Sequence, residues 1–217
     1  MAKVIGLTGG IATGKSTLSI ILSDRAVIVD ADQLAREIVE PGEQAWHEIV
    51  DLFGPRALRN DQSLDRSYLR RVVFQNPPQR KRLEAITHPR IRALARQRIL
   101  ESSQGREFVI YDAPLLFEAG IHHWLRPVIL VTCRPEIQGE RLRQRDGLAA
   151  SEIQRHLDAQ MSLADKRCLA DFTIENDGTL ADLERAVAQA WETIVTTSPA
   201  RYIFLQTDPP ESGRRSE

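Results

Sequence analysis

The chain has few cysteines, no long apolar run and almost no net charge. Only two cysteines occur among its 217 residues, Cys133 and Cys168, and no C-x-x-C pair is present. This scarcity argues against a disulfide framework or a cysteine-ligated metal site, so we expect both cysteines to fill the core. No stretch approaches the roughly 20 apolar residues of a membrane span, and the N-terminus has no signal-peptide pattern. We therefore expect a cytoplasmic protein without a membrane partner.

The net charge of −1 conceals a basic segment at residues 80–98, where seven basic residues accompany a single acid, Glu84. Such a cluster could bind RNA or DNA, because Lys and Arg neutralise phosphates without regard to sequence. Little aromatic interleaving is present, so an anionic small substrate or plain solvent exposure is favoured, and we expect no nucleic-acid partner. Within this segment, Pro89 predicts an extended or turn conformation for His88.

Five short, predominantly apolar runs indicate β-strands at residues 4–8, 26–29, 108–111, 128–132 and 172–174. Long segments of helical periodicity separate them, which predicts an α/β fold whose parallel sheet is covered by helices on both faces. About 75 residues lie between the second and third strands, far more than a crossover helix needs, so we expect a helical subdomain there.

Apolar spacing predicts further helices at residues 46–53, 68–73, 91–100 and 180–195. The charged stretch at residues 136–167 is interrupted near Asp146 and Gly147, which predicts two helices joined by a turn.

The segment G-G-I-A-T-G-K-S at residues 9–16 fits the pattern G-x-x-x-x-G-K-[ST] without a mismatch. Its glycines let backbone N–H groups point at phosphate oxygens, and the helix that follows adds a partial positive charge. An apolar run at residues 3–8 enters the segment and an apolar helix at residues 17–23 leaves it, as the pattern requires. We predict that Lys15 reaches the β- and γ-phosphates of a nucleotide and that the Ser16 hydroxyl coordinates Mg²⁺.

Two carboxylates, Asp30 and Asp32, follow the second strand. Ligands of open α/β sheets bind outside the carboxyl ends of the strands, so we expect these acids to face the phosphate-binding segment. Phosphoryl transfer needs a carboxylate that accepts the proton of the attacking hydroxyl, and Asp32 is our candidate for this base. Either acid could instead cap the helix that begins near Gln33.

The third strand ends at Asp112, an arrangement in which a carboxylate holds Mg²⁺ directly or through water. After the fourth strand, Arg141 and Arg145 are four residues apart and share one helical face, which suits a lid over the transferring phosphoryl group. The alternative is a solvated basic face that pairs with Glu140 or Asp146.

Four segments together resemble the dephospho-coenzyme A kinase family, over nearly the whole chain up to about Val195. They are L-T-G-G-I-A-T-G-K-S-T from Leu7, V-D-A-D from Val29 with E-P-G from Glu40, D-A-P-L-L-F-E-A-G from Asp112, and residues 141–178, which contain A-Q-M around Gln160 and I-E-N-D-G. The phosphate-binding pattern alone would indicate only a superfamily, whereas the four segments together are specific.

The resemblance implies a P-loop kinase-type α/β/α core with a five-stranded parallel sheet, a helical substrate-binding insertion and a lid. In this sequence, the core would occupy residues 1–33, 106–135 and 168–198, the insertion about 34–105 and the lid about 136–167. A flexible tail would follow at residues 199–217, because its polar, proline-containing composition cannot bury a core.

The resemblance also implies the reaction, which is ATP-dependent phosphorylation of the 3′-hydroxyl of dephospho-CoA to give coenzyme A and ADP. Mg²⁺ would assist, no obligate protein partner is implied, and the small-molecule substrates would be dephospho-CoA and ATP. Asp32 would take the hydroxyl proton, Arg141 would lie near the phosphates, and the turn at residues 176–178 would lie near adenine. ATP would be held by Ala12, Thr13, Gly14, Lys15, Ser16 and Thr17.

One departure concerns Ala12 and Thr13, which stand where the family commonly has Gly-Ser. Ala12 must therefore adopt backbone angles that a Cβ tolerates, which we expect to tune ATP affinity without abolishing it.

Three other functions remain open from the residues. A kinase of nucleosides or nucleoside monophosphates would share the phosphate-binding segment, the lid and the sheet. A GTPase switch would need N-K-x-D, which the chain lacks, and its only D-x-x-G match, at residues 51–54, falls on a predicted helix. An RNA-binding protein would use the basic segment at residues 80–98.

Overall fold

The computed structural model describes residues 2–103, 105–123 and 125–196, so the predicted tail at residues 199–217 lies outside the described residues. The chain forms two compact units, one of which is residues 30–100, while the other comprises the described residues on either side of that segment. Among the described residues, no helix has the length and apolar content needed to cross a membrane.

A five-stranded sheet is the centre of the fold, with the strand order β2-β3-β1-β4-β5. Its ladders of β1 with β3, β1 with β4 and β4 with β5 are all parallel. Each strand lies within one residue of its predicted bounds, and the predicted α/β fold with a five-stranded parallel sheet is confirmed. The strands are β1 (Lys3–Gly9), β2 (Val27–Asp30), β3 (Phe108–Asp112), β4 (Val128–Thr132) and β5 (Phe172–Glu175).

Nine α-helices occur in the described part of the chain. They are α1 (Lys15–Ser23), α2 (Ala31–Glu37), α3 (Gln44–Phe53), α4 (Arg66–Gln75), α5 (Pro77–Ser102), α6 (Pro135–Asp146), α7 (Ala150–Asp158), α8 (Leu163–Leu169) and α9 (Leu180–Thr196).

The main core lies between the sheet and the apolar faces of α1 and α9. Every residue of β4 is buried, as expected for a central parallel strand that is covered on both faces. Leu18 and Leu22 of α1 pack into the same cluster as Val187 and Trp191 of α9. This packing fixes the start of α1 at the carboxyl end of β1.

The segment predicted to hold two helices contains three. The expected break is present, because α6 ends at Asp146 and Gly147 caps it in the left-handed conformation. A second break separates α7 from α8, where Ser162 caps α8 by accepting a hydrogen bond from the Asp165 N–H. The sequence signal for this break was the Ser-x-x-Asp spacing, which is typical of a helix start.

The unit of residues 30–100 is built from α2, α3, α4 and α5, and its small core contains Ile49, Ala57, Leu64 and Leu69. The prediction of an extended or turn conformation for His88 is wrong, since α5 continues through Pro89. Proline removes the hydrogen bond to the carbonyl four residues earlier. Side chains add bonds on either side of that position, because Thr87 Oγ1 donates to Leu83 O at 2.9 Å and Arg90 Nη1 donates to Ile86 O at 2.7 Å.

Candidate active site

The phosphate loop, residues 9–16, joins β1 to α1 and presents the N-terminus of that helix. Gly14 precedes α1 with a φ of 92°, a left-handed conformation that glycine adopts without strain. A Cβ at this position would lie 2.1 Å from Asn176 Nδ2, so the close approach of that side chain also requires glycine. The loop is therefore shaped both by its own backbone and by a residue that follows β5.

Thr13 is fully buried and closes the loop on itself. Its hydroxyl donates to Gly10 O at 2.9 Å. Its carbonyl accepts hydrogen bonds from Asn176 Nδ2 at 2.9 Å and from Arg141 Nη1 at 3.4 Å. Neighbouring Ala12, which stands where the family commonly has glycine, has a φ of 58° and so lies in the left-handed region. Side-chain hydrogen bonds thus hold the loop backbone at the carbonyl groups of Gly10 and Thr13.

Lys15 and Asp112, predicted separately from two motifs, lie side by side. Parallel pairing of β1 with β3 places Asp112 opposite Leu7, just before the phosphate loop. Lys15 Nζ lies 2.5 Å from Asp112 Oδ1, and the Asp112 side chain is only 4% exposed. Ser16 and Thr17 are exposed in the first turn of α1. An ammonium group, a buried carboxylate and a free helix N-terminus therefore converge at one edge of the sheet.

The two arginines expected to act together on α6 have different surroundings. Arg141 contacts the phosphate loop at Thr13 O and also donates from Nη2 to Asn176 O at 2.9 Å. Arg145 forms an exposed bidentate pair with Asp146, with distances of 2.9 and 2.8 Å. This is the alternative given above, in which a solvated arginine pairs with Glu140 or Asp146. Of these two arginines, only Arg141 is placed against the loop.

Asp30 and Asp32 likewise differ in their hydrogen-bond contacts. The Asp30 side chain caps α2, since Oδ1 accepts from the Asp32 N–H at 2.8 Å and from the Gln33 N–H at 3.3 Å. The Asp32 carboxylate is exposed and has no hydrogen-bond or ion-pair partner within the described ranges. Asp30 therefore supplies the helix cap, whereas Asp32 does not.

Sequence reasoning missed a set of side chains that support the loop from α6 and the segment after α7. Gln160 Oε1 accepts from the Ile11 N–H at 2.9 Å, and Gln138 Nε2 donates to Ile11 O at 2.6 Å. Lys166 is fully buried and lies 2.9 Å from Glu118 Oε1. The A-Q-M segment around Gln160 belonged to the resemblance, but no spacing in the sequence connects either glutamine to residue 11.

Cys133 follows β4 and is buried, whereas Cys168 is exposed, so the expectation that both would fill the core is wrong for Cys168. Burial raises the pKa of the Cys133 thiol above its usual range, and the neighbouring Arg141 guanidinium opposes that rise without reversing it. Burial thus favours the neutral form of the Cys133 thiol. Cys168 is exposed because it lies on the outer face of α8, opposite the buried Lys166.

The fold and the loop define an α/β protein with a phosphate-binding site, and comparisons with known proteins narrow this class. The family model for dephospho-CoA kinase matches residues 3–182. A dephospho-CoA kinase of Anaeromyxobacter dehalogenans is 48% identical over 81% of this chain and 84% of its own. A dephospho-CoA kinase of Geobacter sulfurreducens is 46% identical, over 87% of this chain and 97% of the length of that relative.

Solved structures agree with this. The crystal structure of TT1252 from Thermus thermophilus is 35% identical, with a TM-score of 0.78, and covers 89% of this chain and 98% of that one. The dephospho-CoA kinase from Campylobacter jejuni is 31% identical with a TM-score of 0.65, over 89% of this chain and 98% of that one. The chain belongs to the dephospho-CoA kinase family.

Proposed function

We propose that the protein transfers the γ-phosphoryl group of Mg-ATP to the 3′-hydroxyl of dephospho-CoA, giving coenzyme A and ADP. The convergence of Lys15, Asp112 and the N-terminus of α1 is the observation that carries this proposal. Family membership supplies the acceptor, because the relatives are named for it. Little covalent chemistry falls to the protein in such a transfer, so catalysis consists of positioning and of electrostatic stabilisation.

The phosphate loop holds the nucleotide in this proposal. Residues 12–17 surround the phosphates, and Lys15 exchanges its contact with Asp112 for the β- and γ-phosphate oxygens. The change is local, since the Lys15 side chain already lies at the edge of the loop and is 16% exposed. Arg141, which is fixed to the loop through Thr13 O, supplies a second positive charge near the phosphates.

The residues present fit Mg²⁺, which prefers oxygen ligands and usually binds through one or two protein groups plus substrate phosphates. The Asp112 carboxylate and the Ser16 hydroxyl supply two oxygens of the right type, one at the end of β3 and one in the first turn of α1. Within the part of the chain that the structure describes, no group of three or more His, Cys, Asp or Glu residues could hold a metal ion. The ion would neutralise charge on the phosphate oxygens.

Asp32 accepts the proton of the attacking 3′-hydroxyl in this proposal. Its exposed carboxylate and the use of Asp30 as the helix cap support the assignment. A general base of this kind contributes about 10²–10⁴-fold to the rate.

We further propose that the enzyme works in the cytoplasm on small molecules, without an obligate protein partner. The two cysteines are both free thiols in the described residues, which agrees with a reducing compartment.

A coupled assay of ADP release tests the function, with dephospho-CoA, nucleosides and nucleoside monophosphates offered in parallel as acceptors. We expect turnover that depends on dephospho-CoA and falls to background with the other acceptors. Turnover with a nucleoside monophosphate but not with dephospho-CoA would instead indicate a nucleoside monophosphate kinase. No acceptor-dependent turnover at all would end the proposal.

A further inference from the structure

The side chains that hold the phosphate loop act on its carbonyl groups, and this has a consequence for its N–H groups. A trans peptide unit is planar, so its C=O and the N–H of the next residue point in opposite directions. A hydrogen bond that fixes one carbonyl therefore also aims the following N–H. Two carbonyls of the loop, those of Ile11 and Thr13, are held in this way by side chains outside the loop.

Gln138 makes the shorter of these contacts, with Nε2 2.6 Å from Ile11 O. The residue is only 5% exposed, so its amide is a buried group whose hydrogen bond is not easily replaced by water. Gly10 admits it, because a Cβ at residue 10 would lie 3.0 Å from Gln138 Nε2. The amide thus lies in a space that the absence of a side chain at Gly10 leaves open.

Gln138 holds the peptide group that joins Ile11 to Ala12, and the Ala12 φ of 58° is disfavoured for alanine. In the described chain, the Ala12 and Gly14 N–H groups donate to no protein acceptor, whereas the Ile11 N–H donates to Gln160 Oε1. Ala12 and Gly14 are the residues that directly follow the two fixed carbonyls. Two of the unused donors of the loop are therefore ones whose direction these side chains set.

Gln138 and Arg141 lie three residues apart on α6 and reach the two carbonyls from one face of the helix. Arg141 is already assigned to the nucleotide phosphates, but its 3.4 Å contact with Thr13 O is long, and Asn176 Nδ2 shares that carbonyl at 2.9 Å. Among the described side chains, Gln138 is the one that holds the Ile11 carbonyl.

We propose that Gln138 is a positioning residue of the phosphate loop, which fixes the Ile11–Ala12 peptide so that the Ala12 N–H points toward the nucleotide phosphates. The proposal rests on the proposed function, because it takes the ligand of the loop to be a nucleotide. Gln138 contacts no substrate atom in this account and acts through the backbone of residues 11 and 12.

The test is Gln138→Met, which keeps the length of the side chain and removes its donor. Loss of one buried hydrogen bond should raise the Kd of Mg-ATP about three- to tenfold in calorimetry. The Kd of dephospho-CoA and the kcat at saturating ATP should change by less than about twofold. The matched control is Gln144→Met, an exposed position on the same helix, for which we expect no change in either Kd.

A second readout separates positioning from a general structural role. In ¹H–¹⁵N spectra of the nucleotide-free protein, Gln138→Met should shift the Ala12 amide resonance more than those of α9. Gln138→Asn, which retains the amide but is one methylene too short, should behave like Gln138→Met and serves in its place if that variant does not fold. An unchanged Kd for Mg-ATP in a folded variant, or equal weakening of both substrates, would overturn the inference alone. Failure of the wild type to bind Mg-ATP would overturn the proposed function as well.

Discussion

The phosphate loop and the segment around Asp32 are built in opposite ways. The loop is held by hydrogen bonds with the side chains of Thr13, Gln138, Gln160 and Asn176, and each of these contacts is at least partly buried. Asp32 has an exposed carboxylate at the start of α2, and only the backbone beside it is fixed, by the Asp30 cap. A site for a flexible polyphosphate gains from donors whose directions are set in advance, because no reorganisation is then needed on binding. A general base needs only one unengaged carboxylate.

This contrast predicts that changes at Asp32 affect the rate alone, whereas changes around the loop affect stability and nucleotide affinity. The largest expected effect is that of Asp32→Asn, which should lower kcat by about 10²–10⁴-fold because the proton acceptor is lost. The Kd of Mg-ATP and the free energy of unfolding should stay close to those of the wild type. Calorimetry, denaturation and the ADP-release assay on one preparation measure all three quantities.

Asp30→Asn is the matched control for that experiment. Asparagine caps helices about as well as aspartate, so stability should be retained. We expect kcat to stay well above that of Asp32→Asn. If Asp30→Asn lowers kcat by about 10²–10⁴-fold and Asp32→Asn leaves kcat close to the wild-type value, the roles of the two acids are reversed.

The next effect concerns the ion pair that supports the Gln160 segment. Glu118 Oε1 lies 2.9 Å from the buried Lys166 Nζ and also accepts the Met161 N–H at 3.1 Å. Lys166→Met should lower the free energy of unfolding by roughly 1–3 kcal/mol, less than for a pair buried on both sides, because Glu118 is 24% exposed. Urea denaturation with linear extrapolation measures this change.

The control is Arg167→Met, at the next position along α8. Arg167 pairs with Glu175 at 3.0 Å, but both side chains are at least half exposed. Its removal should cost less than about 1 kcal/mol. Equal losses from the two variants would show that burial of Lys166 contributes nothing special to the fold.

A smaller effect is expected at Ala12, where the left-handed φ of 58° strains a side chain that glycine lacks. Ala12→Gly should raise the free energy of unfolding by up to about 1 kcal/mol. Ala159→Gly, at an exposed position with a φ of −76°, should instead lower it slightly. Thermal melts of both variants measure the difference, and destabilisation by Ala12→Gly would show that the loop backbone is unstrained.

The smallest effect is a pH dependence from His122, which lies in the segment after Asp112. Its ring is buried beside Phe117 and His123, and Nδ1 has no hydrogen-bond partner among the described residues. Burial is the main cause that lowers the pKa of His122 below 6.5, and the charges of His123 and Arg126 act in the same direction. The unfolded state then binds the proton more readily, so stability is complete above about pH 6.5 and declines as the pH falls below that value.

His122→Phe should flatten this decline, which melts between pH 8 and pH 5 would measure. His156→Phe, at an exposed histidine of α7, is the control and should leave the wild-type profile in place. A wild-type decline that survives unchanged in His122→Phe would assign the pH dependence to other groups.

The sheet could be predicted because each strand is a short apolar run with turn or charge signals on both sides. The convergence of Lys15 and Asp112 followed from the same pattern, since the ends of parallel strands meet at one edge. Pro89 was misjudged because the rule for the residue before proline is only a local preference, and α5 continues through this position. Gln138 and Gln160 were missed because their partner, residue 11, lies more than a hundred positions away in the chain. The proton-accepting role of Asp32 stays a prediction.

The most direct test of the central claim is the position of the transferred phosphoryl group. With Mg-ATP and dephospho-CoA, ³¹P NMR should show a new 3′-phosphomonoester in step with ADP, and Asp32→Asn should slow its formation without weakening ATP binding. The 3′-deoxy analogue should give no product. A phosphorylated product formed from the 3′-deoxy analogue, or ADP release without any phosphomonoester, would contradict the account.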